Sequence, residues 1–103
     1  MKESLNKLLW NITNRRDMYI AEKDYQSLRC FIEGYFTALG DVYNENIHKR
    51  FHDWVKQHLN KKFSINVFDY IYNEEAGKVD KVAEAKLLLY LEQFVSQENI
   101  SSF

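Results

Sequence analysis

Residues 24–43, DYQSLRCFIEGYFTALGDVY, carry the clearest structural signal in the chain. Apolar residues recur in this stretch at the spacings of three and four that place side chains on one face of an α-helix. The carboxylate of Asp24 precedes the repeat, where it can accept hydrogen bonds from the free N–H groups of a first helical turn. The sequence therefore predicts a helix over 24–43, with an inner face formed by Leu28, Phe31, Ile32, Tyr35, Leu39 and Val42.

The same spacing predicts further helices on both sides of this one. The chain has no Pro and three Gly, so little interrupts a helical hydrogen-bond ladder. We expect helices at about 2–13, 47–59 and 78–97, a polar loop over 14–23 and a frayed tail over 96–103. The predicted inner face of the helix at 47–59 consists of Ile47, Phe51, Trp54, Val55, His58 and Leu59. The predicted inner face of the helix at 78–97 consists of Val82, Ala85, Leu88, Leu91, Phe94 and Val95.

The stretch 63–76 is ambiguous between a helix and a strand. Its β-branched and aromatic residues suit a strand, whereas the spacing of its apolar residues suits a helix. Ser64 or Asn66 could cap a helix at its start, and Gly77 could follow its end. We therefore expect a short helix there, with a strand as the alternative.

Two residues inside 24–43 carry specific packing expectations. Gly34 lowers helix stability by about 1 kcal/mol relative to Ala, which indicates a close helix crossing at that position. Cys30 lies in mid-helix, far from any helix N-terminus that would activate a thiol, so we expect a buried or half-buried side chain rather than a nucleophile.

Length and composition fit one domain spanning 1–103, an all-α single compact bundle of four to five helices. A chain of this size buries about two-thirds of its unfolded surface, which suffices for one core. Fourteen basic and fifteen acidic residues leave a net charge of -1, which gives no field for a nucleic acid. No apolar run approaches the ~20 residues of a membrane span, and a single Cys fits a reducing cytoplasm. A cytoplasmic location, with no membrane or nucleic-acid partner, is the expectation.

No motif in the sequence indicates catalysis. His48, His52 and His58 lack the further ligands that a zinc site needs, and no Glu follows His48 as in a metalloprotease. Glu74 and Glu75 are adjacent carboxylates, but solvated charges account for them. The sequence therefore predicts a protein that is not an enzyme and has no metal, no cofactor and no small-molecule substrate.

A DNA-binding helical domain is a weaker alternative. The stretch 49–62, KRFHDWVKQHLNKK, carries five basic residues. Asp53 offsets part of this charge, and the tight glycine turn of a helix-turn-helix is not visible before the stretch. A solvated basic face is the simpler interpretation.

The aromatic residues favour a protein-binding module. Seven Tyr, seven Phe and two Trp are many rings for a chain of this size to bury. Tyr and Trp tolerate half-exposed positions and often anchor protein interfaces. Some of the tyrosines should therefore remain at the surface and contact a partner, the candidates being Tyr19, Tyr25, Tyr43, Tyr70, Tyr72 and Tyr90.

The stretch 15–35, RRDMYIAEKDYQSLRCFIEGY, resembles a pattern of small bacterial immunity proteins that accompany polymorphic or contact-dependent growth-inhibition toxins. That pattern is roughly R-P-x-M-Y-φ-G-x-x-S-φ-x-x-L-x-x-F-φ-x-G-Y, where φ is apolar. Arg16 stands where Pro is usual, Ala21 where Gly is usual, and Asp24 where Ser caps the helix. The residues that we assign to the shared scaffold are Arg15, Met18, Tyr19, Asp24, Leu28, Phe31, Gly34 and Tyr35.

The resemblance implies a non-catalytic inhibitor that binds the C-terminal domain of a cognate toxin, such as a nuclease, by stoichiometric protein–protein contact. A cytosolic adaptor or regulatory module is the alternative. Since immunity proteins choose partners through variable exposed residues, we expect the motif to be mainly scaffold, with Met18 and Tyr19 closing one end of the bundle. The candidate partner-binding residues are Arg16, Glu22, Tyr25, Tyr43, Tyr70, Tyr72, Glu74 and Glu75.

Overall fold

The computed structural model describes residues 2–19 and 24–98, and it confirms the all-α fold class. The described ranges contain no strand, so the expected short helix, and not the strand alternative, is correct for the stretch 63–76. A short helix there runs directly into one π-helical turn, Ile71–Glu75. The helices are α1 (Lys2–Tyr19), α2 (Tyr25–Tyr43), α3 (Ile47–Leu59), α4 (Val67–Tyr70) and α5 (Asp80–Glu98). The predicted frayed tail over 96–103 is therefore wrong for 96–98, and 99–103 lie outside the described residues.

Polar side chains cap the helices where the sequence suggested. The Asp24 carboxylate accepts a hydrogen bond of 2.7 Å from the backbone N–H of Ser27, which confirms its role at the start of α2. That bond is the main reason why the pKa of Asp24 is lowered. Asn66, rather than Ser64, caps α4 by accepting 2.8 Å from the backbone N–H of Phe68. Capping thus fixes where α2 and α4 begin.

Helix α1 is longer than the sequence predicted. The expected end near residue 13 is wrong, because the helix continues to Tyr19 with one non-helical residue, Arg15 (φ -134°, ψ 28°). The expected loop over 14–23 is therefore wrong for 14–19, and 20–23 lie outside the described residues. The Asn14 side chain donates to the carbonyl of Trp10, which keeps it within the helical path rather than ending the helix. Beyond this kink, Arg16 pairs with Glu84 of α5 at 2.5 Å and holds the last turn against that helix.

The core is centred on interlocked aromatic rings. The Phe51 ring of α3 lies 5.8 Å from Phe36 of α2, 5.8 Å from Phe68 of α4 and 5.2 Å from Phe94 of α5, measured between centroids. All four side chains are fully buried. Edge and tilted contacts of this kind add to the stabilisation from burial. The rings therefore join α2, α3, α4 and α5 in one core.

Helix α5 is rotated relative to its predicted inner face. Leu91, Phe94 and Val95 are buried as expected, but Val82 and Ala85 are exposed. Apolar residues surround this helix on most sides, so periodicity alone could not choose the buried face. On α2, Val42 is also wrongly predicted as inward, being 73% exposed. The side chains that fill the inner positions of α5 in place of the expected ones are Ala83, Leu87 and Tyr90.

The close backbone approach lies at Gly40 and not at Gly34. A Cβ atom added at Gly34 would meet nothing within 4 Å, so the expected close crossing at that residue is wrong. A Cβ atom at Gly40 would lie 2.6 Å from the carbonyl oxygen of Glu45. The chain reverses there through Asn44, which adopts the left-handed conformation (φ 54°). Glycine at position 40 therefore permits the tight turn from α2 into α3.

Candidate protein-binding surface

The predicted tyrosine anchors divide into buried and exposed groups. Tyr25, Tyr70 and Tyr90 are buried, so their prediction as surface residues is wrong. Tyr72 is half-buried and stacks on Tyr25 with ring centroids 5.4 Å apart. Tyr43 is 44% exposed and agrees with the expectation. The side chain of Tyr19 lies outside the described residues.

The buried tyrosines satisfy their hydroxyl groups internally. The Tyr25 hydroxyl donates 2.7 Å to the carbonyl oxygen of Phe68, next to the π-helical turn. The Tyr90 hydroxyl donates 2.6 Å to Glu75. Burial raises the pKa of both phenols, and the neighbouring carboxylate raises that of Tyr90 further. These groups therefore hold the fold together rather than contacting a partner.

The charged candidates also separate. Arg16 is half-buried in its ion pair with Glu84, and Glu75 accepts the Tyr90 hydroxyl beside Lys61, 3.8 Å away. Glu74 is exposed. Glu22 lies outside the described residues. Among the charged candidates, the structure leaves Glu74 accessible and uses Arg16 and Glu75 for internal contacts.

The described residues of the resemblance motif divide between packed and exposed positions. Leu28 is buried, and Phe31 and Tyr35 are half-buried with ring centroids 6.3 Å apart. Gly34 is exposed on α2. Arg15 places its guanidinium 5.2 Å from the centroid of the Trp10 ring, a cation–π contact. Met18 and Tyr19 lie in the last turn of α1, and their predicted closing role concerns side chains outside the described residues.

Cys30 is exposed, which contradicts the expectation of a buried thiol. It lies two residues from the buried Leu28 and Ile32, on the outer side of α2. In the described ranges, no group of three or more His, Cys, Asp and Glu side chains is placed to hold a metal ion.

The three histidines make separate contacts along α3. The Nε2 atom of His48 lies 3.1 Å from the Thr37 hydroxyl. His52 packs edge-on against Phe63, and partial burial is the main cause of its lowered pKa, with Lys56 adding to it. His58 is exposed rather than inward, and it stacks on Trp54 at 4.6 Å. The indole of Trp54 donates to Gln97, so the half-buried ring is held between α3 and α5.

Much of the basic charge near α3 is already paired. Lys49 contacts Asp53 at 2.8 Å within the helix. Arg50 lies 3.8 Å from Glu45, and Lys61 lies 3.8 Å from Glu75. Paired cations at a surface present less positive charge to a nucleic acid than the sequence count indicates.

One exposed surface, here named the α2–α3 corner, consists of residues 41–45. Val42 and Tyr43 are exposed in the last turn of α2, while their neighbours Gly40, Asp41 and Asn44 line a groove of about 440 Å³. The carboxylates of Asp41 and Glu45 border this groove. The last turn of α2 has no basic residue to offset the negative end of the helix dipole. The corner therefore combines an aromatic and an aliphatic side chain with the Asp41 carboxylate and the negative end of α2, while the Glu45 carboxylate is paired with Arg50.

A second exposed surface, here named the α1–α5 face, consists of Trp10, Val82, Ala85, Leu88 and Leu89. Trp10 is 52% exposed and Leu89 49% exposed. A groove of about 420 Å³ separates Leu9, Trp10 and Thr13 of α1 from Leu88 and Glu92 of α5. This face is not among the predicted binding residues, although Trp10 falls off the apolar stripe of α1 and 87–89 is a run of three leucines. Apolar residues outside the predicted inner faces are the signal that identifies it.

Comparisons with known proteins add no relative to these observations. No protein family, no curated protein and no solved structure matches the chain. Among the described helices, none is long and apolar enough to cross a membrane.

Proposed function

We propose that this chain is a cytoplasmic immunity protein that binds the C-terminal domain of a cognate toxin and neutralises it by stoichiometric contact. The α2–α3 corner is the observation that carries the proposal. A rigid aromatic anchor within a charged rim is the arrangement that gives protein interfaces both affinity and selectivity. The similarity of 15–35 to immunity proteins supports the same function.

The corner is preorganised, which favours tight binding. Its turn is fixed by the close approach at Gly40 and by a hydrogen bond of 3.1 Å from the Glu45 N–H to the Gly40 carbonyl. Asn46 caps α3 immediately afterwards by accepting from the backbone N–H of Lys49. A partner that binds a fixed surface loses less conformational entropy than one that must order it.

The electrostatics of the corner suit a basic partner. Asp41 directly precedes Val42 and Tyr43 at the negative end of α2, and Glu45, which pairs with Arg50, follows them in the turn. Surfaces that bind nucleic acids are basic, so a nuclease toxin would present complementary charge. In this mechanism Tyr43 occupies an apolar pocket of the toxin, and the Asp41 carboxylate pairs with a basic side chain beside that pocket.

Growth rescue tests the proposal directly. The probe is the C-terminal domain of the protein encoded immediately upstream, produced in a sensitive bacterium with and without this chain. We expect rescue and an equimolar complex. If the domain is toxic and both proteins are soluble, failure to rescue contradicts the immunity function and favours the adaptor alternative.

Paired variants test whether the corner is the contact surface. We expect Tyr43→Ala and Val42→Glu to weaken the complex at least about tenfold, because anchors at interface centres dominate affinity. The matched control is Val79→Glu, which introduces the same charge at an exposed valine outside the corner. Rescue by the wild-type chain together with unchanged affinity of the corner variants would retain the function and reject the surface.

A further inference from the structure

The groove at the α2–α3 corner contains one carboxylate that no cation of this chain neutralises. Asp41 lines the groove, and within the described residues its carboxylate forms no ion pair. Glu45 also lines the groove, but Arg50 offsets its charge at 3.8 Å. Neither Lys nor Arg is among the described residues that line this groove. The Asp41 carboxylate is therefore open to a cation from a partner.

His48 adds a second hydrogen-bond acceptor to the groove, because its contacts fix its tautomer. The Thr37 hydroxyl donates its one proton to the carbonyl of Glu33, at 3.0 Å. The oxygen of the same hydroxyl lies 3.1 Å from Nε2 of His48. Both contacts are hydrogen bonds only if Nε2 carries the proton of the neutral ring and donates it to Thr37. Nδ1 of the neutral ring is then an acceptor.

The two acceptors lie close together and on a fixed frame. Thr37 and Asp41 are four residues apart on α2, which places their Cβ atoms about 5–6 Å apart on one side of the helix. His48 contacts Thr37, and its ring also packs edge-on against the buried Phe36, with centroids 5.5 Å apart. Since Asp41 and His48 line the same groove, one bound group can contact both.

We infer that this groove binds the guanidinium group of an arginine side chain of the toxin, which rests on the immunity function proposed above. The planar guanidinium has five N–H donors, so it can donate to the Asp41 carboxylate and to Nδ1 of His48 at the same time. Its charge also faces the negative end of α2, whose last turn has no basic residue. A lysine directs its donors from a single nitrogen and serves two separate acceptors less well.

This contact gives the corner selectivity in addition to affinity. A toxin without the arginine leaves the Asp41 carboxylate and Nδ1 of His48 without their donors, which lowers its affinity relative to the cognate toxin. Tyr43 supplies mainly apolar contact, which discriminates less between partners of similar shape. The groove is therefore the part of the corner that selects the partner.

Titration with small probes tests the groove without any toxin. The probes are the N-acetyl N-methylamides of arginine, lysine and citrulline, of which citrulline is a neutral analogue of arginine. Each is added to the full ¹⁵N-labelled chain up to about 200 mM, which covers the weak affinity of a single charged contact, with NaCl holding the ionic strength constant. We expect the arginine probe to shift the amide signals of residues 37–48 and to bind at least about threefold more tightly than the lysine probe. The citrulline probe should give no saturable shift.

A charge-neutral variant tests the role of the carboxylate. Asp41→Asn should weaken binding of the arginine probe at least about threefold, because it removes the charge and keeps the shape of the side chain. The matched control is Glu92→Gln, which neutralises an exposed carboxylate outside the groove and should leave probe binding unchanged.

The tautomer of His48 can be read directly. Long-range ¹H–¹⁵N correlation spectra of the free chain at about pH 8 should show a protonated Nε2 and an unprotonated Nδ1. Thr37→Val removes the hydroxyl that accepts from Nε2, so both tautomers should appear and the arginine probe should bind about twofold more weakly. Circular dichroism should show that this variant remains helical.

Three results would overturn the inference. The first is a proton on Nδ1 of His48 in the free chain, because this atom would then be a donor toward the groove. The second is an arginine probe that binds no more tightly than the lysine or citrulline probe. The third is an Asp41→Asn variant that binds the arginine probe as tightly as the wild type does. All of these measurements use this chain alone, so growth rescue still tests the immunity function separately.

Discussion

Helices α2 and α3 bury the rings of Phe36 and Phe51, whereas the α1–α5 pair presents a tryptophan and several aliphatic side chains to solvent. Phe36 and Phe51 are fully buried and contact each other, while Trp10 and Leu89 are about half exposed. Helices α2 and α3 follow each other in the sequence, whereas α1 and α5 come from opposite ends of the described chain. Both pairs are rich in apolar residues. The difference shows that apolar content alone does not tell which side of a helix pair forms the core.

The physical reason for this difference is whether another helix packs against each side of the pair. The inner side of α2 and α3 faces α4, whose Phe68 ring completes the aromatic cluster. The outer side of α1 and α5 faces no other described element, and a groove remains between the two helices. The first region therefore stabilises the fold, while the second is available for binding.

Alanine substitutions in the two regions should have very different effects on stability. We expect Phe51→Ala to lower the free energy of unfolding by about 3–5 kcal/mol, because the ring is buried against three others. Trp10→Ala should lower it by less than about 1 kcal/mol, because half of that side chain already contacts water. Urea unfolding at about 1 μM protein measures both, at a concentration that limits any contribution from self-association.

Similar losses for the two variants would contradict the division into a structural and a binding region. A loss below about 1 kcal/mol for Phe51→Ala would mean that the aromatic cluster does not carry the core. A loss above about 3 kcal/mol for Trp10→Ala would instead place Trp10 in the core. Either outcome would remove the basis for assigning the α1–α5 face to a partner.

Two glycines of α2 offer a second and smaller contrast. We expect Gly40→Ala to destabilise the fold by about 1–3 kcal/mol, because the added methyl group would clash with the Glu45 carbonyl. Gly34→Ala should stabilise it by up to about 1 kcal/mol, because nothing obstructs the methyl group and Ala favours a helix. Thermal and urea unfolding of the two variants should thus give changes of opposite sign.

Equal effects at the two glycines would show that the turn after α2 tolerates a side chain. The α2–α3 corner would then lack the fixed geometry that supports its role in binding. Partner affinity measured for both Tyr43→Ala and Gly40→Ala separates the contribution of the anchor from that of the turn. Tyr43→Ala removes the anchor and leaves the turn unchanged.

The sequence predicted the fold class and most helix ends, because these depend on local chemistry. Asp24 and Asn66 bind backbone N–H groups a few residues away, so their capping roles are visible in the sequence. The ends of α3 at Ile47 and Leu59 match the prediction. The end of α1 was predicted too early, because the sequence near residue 13 does not show the contact that accompanies its last turn. That contact is the ion pair between Arg16 and Glu84, which is distant in the sequence.

The candidate site was harder to predict, because exposure depends on distant residues. Nothing in the sequence separates Tyr25 and Tyr90 from Tyr43. In the fold, the Phe68 carbonyl accepts the hydroxyl of Tyr25 and the Glu75 carboxylate accepts that of Tyr90, which allows both rings to be buried. In α5, Leu87 and Leu89 are chemically identical, and packing against other helices decides that only the first is buried. The number of tyrosines therefore favoured a protein-binding function, but it did not show which tyrosines are exposed.

The buried hydroxyl of Tyr25 gives the smallest of the expected effects. We expect Tyr25→Phe to destabilise the fold by about 1 kcal/mol at pH 7, because it removes one buried hydrogen bond. The cost stays moderate because the Phe68 carbonyl also accepts from the backbone N–H of Ile71. Tyr43→Phe is the matched control, and it should change the unfolding energy by less than about 0.5 kcal/mol, since this ring is exposed.

The same pair of variants has a distinct dependence on pH. Burial holds the pKa of Tyr25 above its ordinary value near 10 in the folded state. Above about pH 10 the unfolded chain loses this proton while the folded chain keeps it, so the wild type loses up to about 1.4 kcal/mol per pH unit from this group. Tyr25→Phe lacks that loss, and its disadvantage should shrink to about zero near pH 11. A disadvantage that stays constant from pH 7 to pH 11 would mean that the Tyr25 hydroxyl is accessible to water, and the contrast between the buried and exposed tyrosines would fail.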